Sequence, residues 1–525
     1  MSAAASDSNM VEERLGGWER GLIFWLLGIG AAALYYGTMS IPYSLQQYYA
    51  EPLLDLAKIS QHTVTSGWNL IGGWSALFVI YIVAYLLAPR RLSAGVAVPT
   101  AILFLPAVFC ATLAIAYPVG AADVFDYILR ARIFAVHGAS PFAVTPAAFP
   151  NDPFFPYAAW DQATSAYGPI WELLAAGVTS LGGEQLWRNI ILFKGLAIFS
   201  YFANGVLILL IVGERHPQWA WRGLVLYLWN PLVLFEIATN AHNDLLMITP
   251  VLAAFLLLDR SRAWWGRPIA SFGLAIGLLI KFLAAPLLPL FWVAGLRDVS
   301  QRWPRRWLVL AVSVLLTALT VLLFYIPFWQ GSDPLGVGRR ADMFTASLPN
   351  TLRLLLAEFG LDRPLASAIA LYTAVLLFGL IGLFQMWQIW RGHTSLQRAS
   401  FELLFFYLLL CCLWFQPWYL LWIIPLAAII PHWGVASRTI VFCISGMANY
   451  VVWDMLYFWV FIPQSRGRDF TAEIQYTSAA FVYPIPLLLT VGWFAYDRWQ
   501  QRKSTVEESE ELDTSTGDHP DLQRA

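Results

Sequence analysis

Apolar runs alternate with short polar connections along almost the whole chain. Runs suited to membrane helices, about 20 residues each when complete, occur at approximately 21–39, 68–88, 96–117, 166–182, 188–212, 221–238, 244–258, 269–281, 283–296, 307–329, 365–388, 400–415, 417–430, 438–462 and 481–497. Several fall short of a full span and abut Pro or Gly, as in broken or re-entrant helices. Such backbone is tolerated at membrane depth only where it is buried or lines a cavity. The pattern predicts an all-α polytopic membrane protein of roughly 13–15 membrane segments. It divides the chain into an N-terminal segment 1–20, a membrane domain 21–500 and a polar, acidic tail 501–525 expected to be disordered.

Orientation follows from where Arg and Lys gather in short connections. Arg90–Arg91, Arg215 with Arg222, Arg260–Arg262–Arg267, Arg297–Arg302–Arg305–Arg306, Arg391–Arg398 and Arg498, Arg502 and Lys503 all fall in such places. Setting them in the cytoplasm puts both ends there and turns the connections 118–165, 330–360 and 463–480 outward. It also requires 166–182 and 188–212 to cross only once between them, so one of the two is expected to be re-entrant. The 118–165 connection is longer than a compact link needs, and long outward loops are where function is expected.

Composition narrows the class. The chain has 525 residues, 59% hydrophobic and 12% charged, and that charged fraction is about half the soluble norm. Its 26 Trp and 22 Tyr suit belts at both membrane interfaces. A net charge of −1 gives no basic footprint for nucleic acid. Cys110, Cys411, Cys412 and Cys443 lie inside apolar stretches, against a disulfide framework or CxxC metal chemistry. The N-terminus lacks a clear cleavage site, so the first apolar run reads as a retained anchor.

Candidate chemistry concentrates at the predicted outer rim. In GAADVFDYILRARIF, Asp123 and Asp126 share a helix face with Tyr127 beside them. An acid there can serve as general base toward a hydroxyl; alternatively, Asp126 pairs with Arg130 or Asp123 caps the helix. In ATNAHNDLLM, His242, Asn243 and Asp244 are adjacent polar residues where two apolar segments meet. Polar clusters at such depth mark function, although a reversing turn also uses Asn and Asp. Lys281, alone among apolar residues, must snorkel or find an anion, either a lipid phosphate or a carboxylate such as Asp123. In FQPWYLLW, Gln416 and Trp418 can hydrogen-bond and stack on a sugar, or simply form a Pro-broken interfacial turn. Arg339 and Arg340 can clamp phosphate or be solvated.

The order of AADVFDYILRARIFAVHGASPF, SAYGPIWELL, WNPLVLFEIATNAHNDLLM, LAIGLLIKFLAAPLLPL and QPWYLLW over roughly 96–430 resembles the GT-C superfamily of membrane glycosyltransferases. Within it the chain is most similar to the polyprenol-phosphate-mannose-dependent α-1,6-mannosyltransferases of bacterial lipoglycan synthesis. The resemblance implies a helical bundle in the plasma membrane with an extracytoplasmic site. It makes Asp123 the catalytic base and Tyr127, Gly138 and Pro141 its companions, with Phe142 where tyrosine is commoner. Tyr167, Gly168 and Pro169 match the next helix start, His242–Asn243–Asp244 a cavity-facing turn, and Lys281 and Gln416–Pro417–Trp418 later motifs. The implied partners are a polyprenyl-phosphate sugar donor, a glycan or glycolipid acceptor, and membrane lipid. The implied reaction is hexosyl transfer, mannose expected, with inversion. Two departures stand out. A second span precedes the helix leading into the acid loop, and Asp126 adds an acid where the family often has none, which leaves use of a divalent metal open. The rival function is a transporter or flippase of lipid-linked sugars, which needs no base; a weaker rival is an envelope polysaccharide polymerase or ligase.

Overall fold

The computed structural model describes residues 17–89, 96–261, 263–297, 302–329, 343–464 and 469–516. Arg339 and Arg340 lie outside them. The described chain is helical, with no strand beyond two isolated bridges, Ser44 with Ala116 and Thr345 with Trp414. In order, its longer helices are α1 (Gly17–Tyr35), α2 (Val64–Leu87), α3 (Ala97–Ala114), α4 (Asp123–Ala135), α5 (Pro169–Gly182), α6 (Leu186–Arg215) and α7 (Ala220–Leu228). There follow α8 (Pro231–Thr239), α9 (Asp244–Arg260), α10 (Gly266–Ile280), α11 (Leu287–Arg297), α12 (Trp303–Tyr325), α13 (Leu348–Glu358), α14 (Arg363–Arg391) and α15 (Leu396–Phe406). The last four are α16 (Pro417–Ala428), α17 (Trp433–Val451, continued as π-helix to Phe461), α18 (Thr471–Val482) and α19 (Pro484–Thr516).

Among the described residues eight helical stretches are long and apolar enough to cross a membrane, and the bent pair α8–α9 makes nine if its two arms count as one span. The shorter apolar helices include α10 and α16. Of the short apolar segments expected from the sequence, those around 231–239 and 244–260 are the two arms of that one bend, while α10 and α16 remain short apolar helices.

The crossing problem at 166–212 resolves by length. The fourteen residues of α5 reach about 21 Å, short of a hydrocarbon core about 30 Å thick. Both ends of α5 are tied to α4: Tyr167 reaches Asp123, and Glu184 pairs with Arg132. It runs beside α4, and of the two only α6, with 30 residues, is long and apolar enough to cross a membrane. The stretch 501–516, expected to be disordered, instead continues α19. Adding residues to an existing helix is cheap once nucleation is past, and its Glu, Gln and Lys are good helix formers.

The helices have one polar-cluster end and one arginine end. Helix α9 starts at Asp244 and ends at Arg260; α10 returns from Arg267 to Lys281, which pairs with Asp244. At the arginine end Arg215 on α6 meets Asp259.

Candidate active site

The turn entering α4 is fixed before the acid is reached. Lys194, buried on α6, donates to the carbonyls of Ala114, 3.1 Å away, and Ala116, so it caps the end of α3. The Gly120 amide donates to Asn240 Oδ1 at 3.0 Å. A Cβ at Gly120 would lie 2.5 Å from Asn240 Nδ2 and 3.0 Å from both Phe235 and the Tyr450 hydroxyl. Only glycine allows that approach.

Asp123 then opens α4, half-buried, and its Oδ1 accepts a 2.8 Å hydrogen bond from the Tyr167 hydroxyl. Tyr167 is placed by Gly168, whose amide donates to Ile280 O at 3.0 Å and whose Cβ would fall 2.1 Å from Leu279 O. The start of α5 is therefore pressed against the end of α10, one residue before Lys281. Tyr127 is buried, with its ring against Tyr167 and Trp171 at 5.2 and 4.8 Å. It supports Tyr167 and does not itself line the rim.

Asp126 was expected as a second catalytic acid; the structure turns it elsewhere. Both its oxygens accept from Arg130, at 2.6 and 3.0 Å, and Arg130 also donates to Ala163 O and Trp160 O. The i, i+4 spacing and burial of both side chains make this ion pair a clasp for the loop. A second clasp lies further along. Asp152 accepts from Arg132, His137 and the Phe154 amide. Burial raises its pKa, but the Phe154, His137 and Arg132 bonds together hold it below its ordinary 3.8.

The second half of the site comes from the break between α8 and α9, bent by 118°. Asn230 caps α8 by accepting from Leu232 N and Val233 N, with Pro231 at the first helical position. The helix ends as a π turn, and Ala241 adopts φ 60°, left-handed backbone that costs a non-glycine residue about 1–3 kcal/mol. Asp244 is fully buried, and its Oδ1 accepts from Lys281 Nζ at 2.6 Å and from the Trp422 indole. The carboxylate expected for Lys281 was Asp123, but it is Asp244, because α9 and α10 form a hairpin that joins their ends. Lys281 Nζ also faces the rings of Tyr419, Trp422 and Tyr167, at 5.4, 5.6 and 5.8 Å from their centroids. That cage joins the two halves of the site.

His242 stacks on Trp418, 4.5 Å between centroids at 17°, and its Nε2 lies 3.3 Å from Glu236 Oε2. One face of Trp418 is therefore already occupied. Gln416, half-buried, opens the 3₁₀ turn Pro417–Trp422 that presents Trp418, Tyr419 and Trp422. Glu236, Asn240, Tyr450 and Trp422 were not among the candidates. Glu236 accepts from Asn240 and from Tyr450, each at 2.8 Å. Its i, i+4 spacing to Asn240 is visible in the sequence, but Tyr450 is 214 residues away and nothing local announces it.

The His242 Nδ1, both amide atoms of Asn243 and Asp244 Oδ2 are buried without a hydrogen-bond partner. Such atoms cluster where a ligand or ordered water completes them. Among the described residues no group of three or more His, Cys, Asp or Glu side chains could hold a metal ion.

A helical membrane protein with this matched core is a membrane glycosyltransferase of the GT-C class. The model of the MptA_B family, described as alpha-(1->6)-mannopyranosyltransferase, N-terminal domain, matches residues 25–296, more than half the chain. The chain belongs to that family. It is 26% identical over 425 residues to alpha-(1->6)-mannopyranosyltransferase A of Mycobacterium tuberculosis, covering 74% of this chain and 77% of the relative. It is 25% identical over 432 residues to the "Probable alpha-(1->6)-mannopyranosyltransferase" of Mycolicibacterium smegmatis, covering 72% of each. No solved structure gives a significant match.

Proposed function

We propose that the chain transfers mannose from a polyprenyl-phosphate donor to a glycan or glycolipid hydroxyl at the outer face of the plasma membrane, with inversion. In this reading the arginine end lies in the cytoplasm, as the positive-inside rule requires, together with residues 1–20 and 501–525. One observation carries the mechanism. Asp123 is half-exposed, pairs with no cation among the described residues and is oriented by Tyr167, whereas Asp126 is consumed by Arg130.

Asp123 takes the proton from the acceptor hydroxyl as that oxygen attacks the anomeric carbon. Polyprenyl phosphate leaves from the opposite face. Lys281, 16% exposed in its cage, and His242 meet the charge that develops on the departing phosphate. Asn243 and Asp244, with unfilled polar atoms, accept and donate to the sugar, and Trp418 and Gln416 flank it. Arg339 and Arg340 are further phosphate ligands in this proposal.

The test is transfer from radiolabelled polyprenyl-phosphate mannose to membrane lipid extract by the purified protein. Asp123→Asn should lower turnover at least about a hundredfold, the scale of general-base help, with unchanged thermal unfolding. Near-normal turnover in that variant removes Asp123 from the mechanism.

A further inference from the structure

Between α1 and α2 lies a cavity of ≈ 530 Å³ that the proposed reaction does not use. Thr38, Tyr43, Ser60, Ser66, Trp68 and Asn69 bring hydroxyls, an amide and two aromatic rings to walls completed by aliphatic residues and glycines. Among the described residues no Lys, Arg, Asp or Glu lines it. Gly37 and Gly72 also form its wall, and a Cβ at either would meet nothing within 4 Å. Glycine inside a membrane helix sacrifices helix stability, yet here no neighbour needs the room.

The cavity is joined to the acid loop. Its flank, residues 42–60, hydrogen-bonds along the segment that leads to Asp123. Leu45 N donates to Ile115 O at 2.8 Å, Tyr117 N to Tyr43 O at 2.5 Å, and Leu56 N to Val119 O at 3.2 Å. Gly120 follows at once, and Asp123 opens the next helix. On the rim Trp68 is 62% exposed and stacks on Trp459, whose indole donates to His62 O at 3.1 Å.

The lining selects the ligand. With no cation among its described residues it offers a phosphate no counter-charge, and the Thr38 and Ser60 hydroxyls, which donate to Leu34 O and Ala57 O, keep their lone pairs as acceptors. Hydroxyl and amide groups between aromatic faces suit an uncharged polyhydroxyl chain, whose C–H faces lie on rings while its hydroxyls bond the walls. We infer that this cavity is a second carbohydrate site, which holds non-reacting sugar units of the acceptor while its terminal hydroxyl reaches Asp123. This rests on the reading that the acceptor is a mannose glycan.

The experiment compares α-1,6-linked mannose disaccharide and hexasaccharide as acceptors for the full chain in nanodiscs. Gly72→Leu fills the cavity with a better helix former, so the protein should fold at least as well. Together with Trp68→Ala and Asn69→Ala it should raise KM for the hexasaccharide about tenfold, the scale of a lost hydrogen bond or two. The kcat and the disaccharide kinetics should not change. Parent-like hexasaccharide KM in all three variants overturns the inference. If the parent transfers to neither acceptor, the reading of the reaction has failed separately. Saturation-transfer NMR with the hexasaccharide then decides the site: binding lost in Gly72→Leu supports it, and equal binding sinks it.

Discussion

Two buried charge clusters sit at opposite ends of the bundle, and they are built differently. At the arginine end Arg438 makes two bonds to Glu402, at 2.5 and 3.0 Å, and a third to Gly434 O. Arg398 adds a fourth contact to Glu402 at 2.7 Å, and Phe401, Phe405 and Phe494 surround the Arg438 guanidinium. At the other end Asp244 uses one oxygen for Lys281 and Trp422 and leaves the second unpartnered, as are Asn243 and His242 Nδ1 beside it. A closed network holds helices together. An open one, bought with buried polar atoms that gain nothing from folding, is kept for a ligand. The sequence singled out only the open cluster; Glu402 and Arg438 also stand in apolar runs, but 36 residues apart, with nothing local to pair them.

The comparison breaks most visibly at Lys281. A lysine with no partner in an apolar run could be replaced by Met at no cost in stability. With Asp244 left charged and buried, it should instead destabilise by about 3–5 kcal/mol, and it should weaken donor binding. Lys281→Met combined with Asp244→Leu should recover much of the unfolding temperature and none of the transfer. Full transfer in the double variant would show that the open cluster is structural too.

Glu402→Leu probes the closed cluster. It leaves Arg398 and Arg438 facing each other, and a loss of about 3–5 kcal/mol in stability is expected. Turnover per folded molecule should match the parent at a temperature where both are folded. A fall in turnover would tie the arginine end to the reaction.

The smallest effect is a pH dependence confined to the acid loop. Asp152 has a folded pKa below its ordinary 3.8. Its contribution is therefore complete above that ordinary value and is lost as pH falls through the lower folded value. Protection of residues 136–165 against hydrogen exchange, taken relative to the intrinsic rate at each pH, should fall over that acidic window in the parent. In Asp152→Asn it should already be low at neutral pH. Identical exchange in both proteins would remove the Arg132–Asp152–His137 clasp from the account.

Much of the molecule was legible in its hydropathy and motif order. Apolar runs without water to satisfy backbone groups must be helices, and Arg at one set of helix ends fixes which ends lie together. Asp123, the 242–244 turn, Lys281 and the QPW turn were found because a polar residue inside an apolar run is expensive and therefore conspicuous. Their spacing does not say which of them touch. Asp123 and Asp126, three residues apart, look alike in sequence. Only the tertiary structure gives one to Tyr167 and the other to Arg130, since a carboxylate's role depends on what stands within about 3 Å of it. The same limit hid Tyr450 and Trp422, brought to the site by helices far along the chain. It also left Lys281 open between a lipid phosphate, a carboxylate such as Asp123 and snorkelling, because the α9–α10 hairpin that brings Asp244 to it closes through packing between helices and no local pattern encodes that distance.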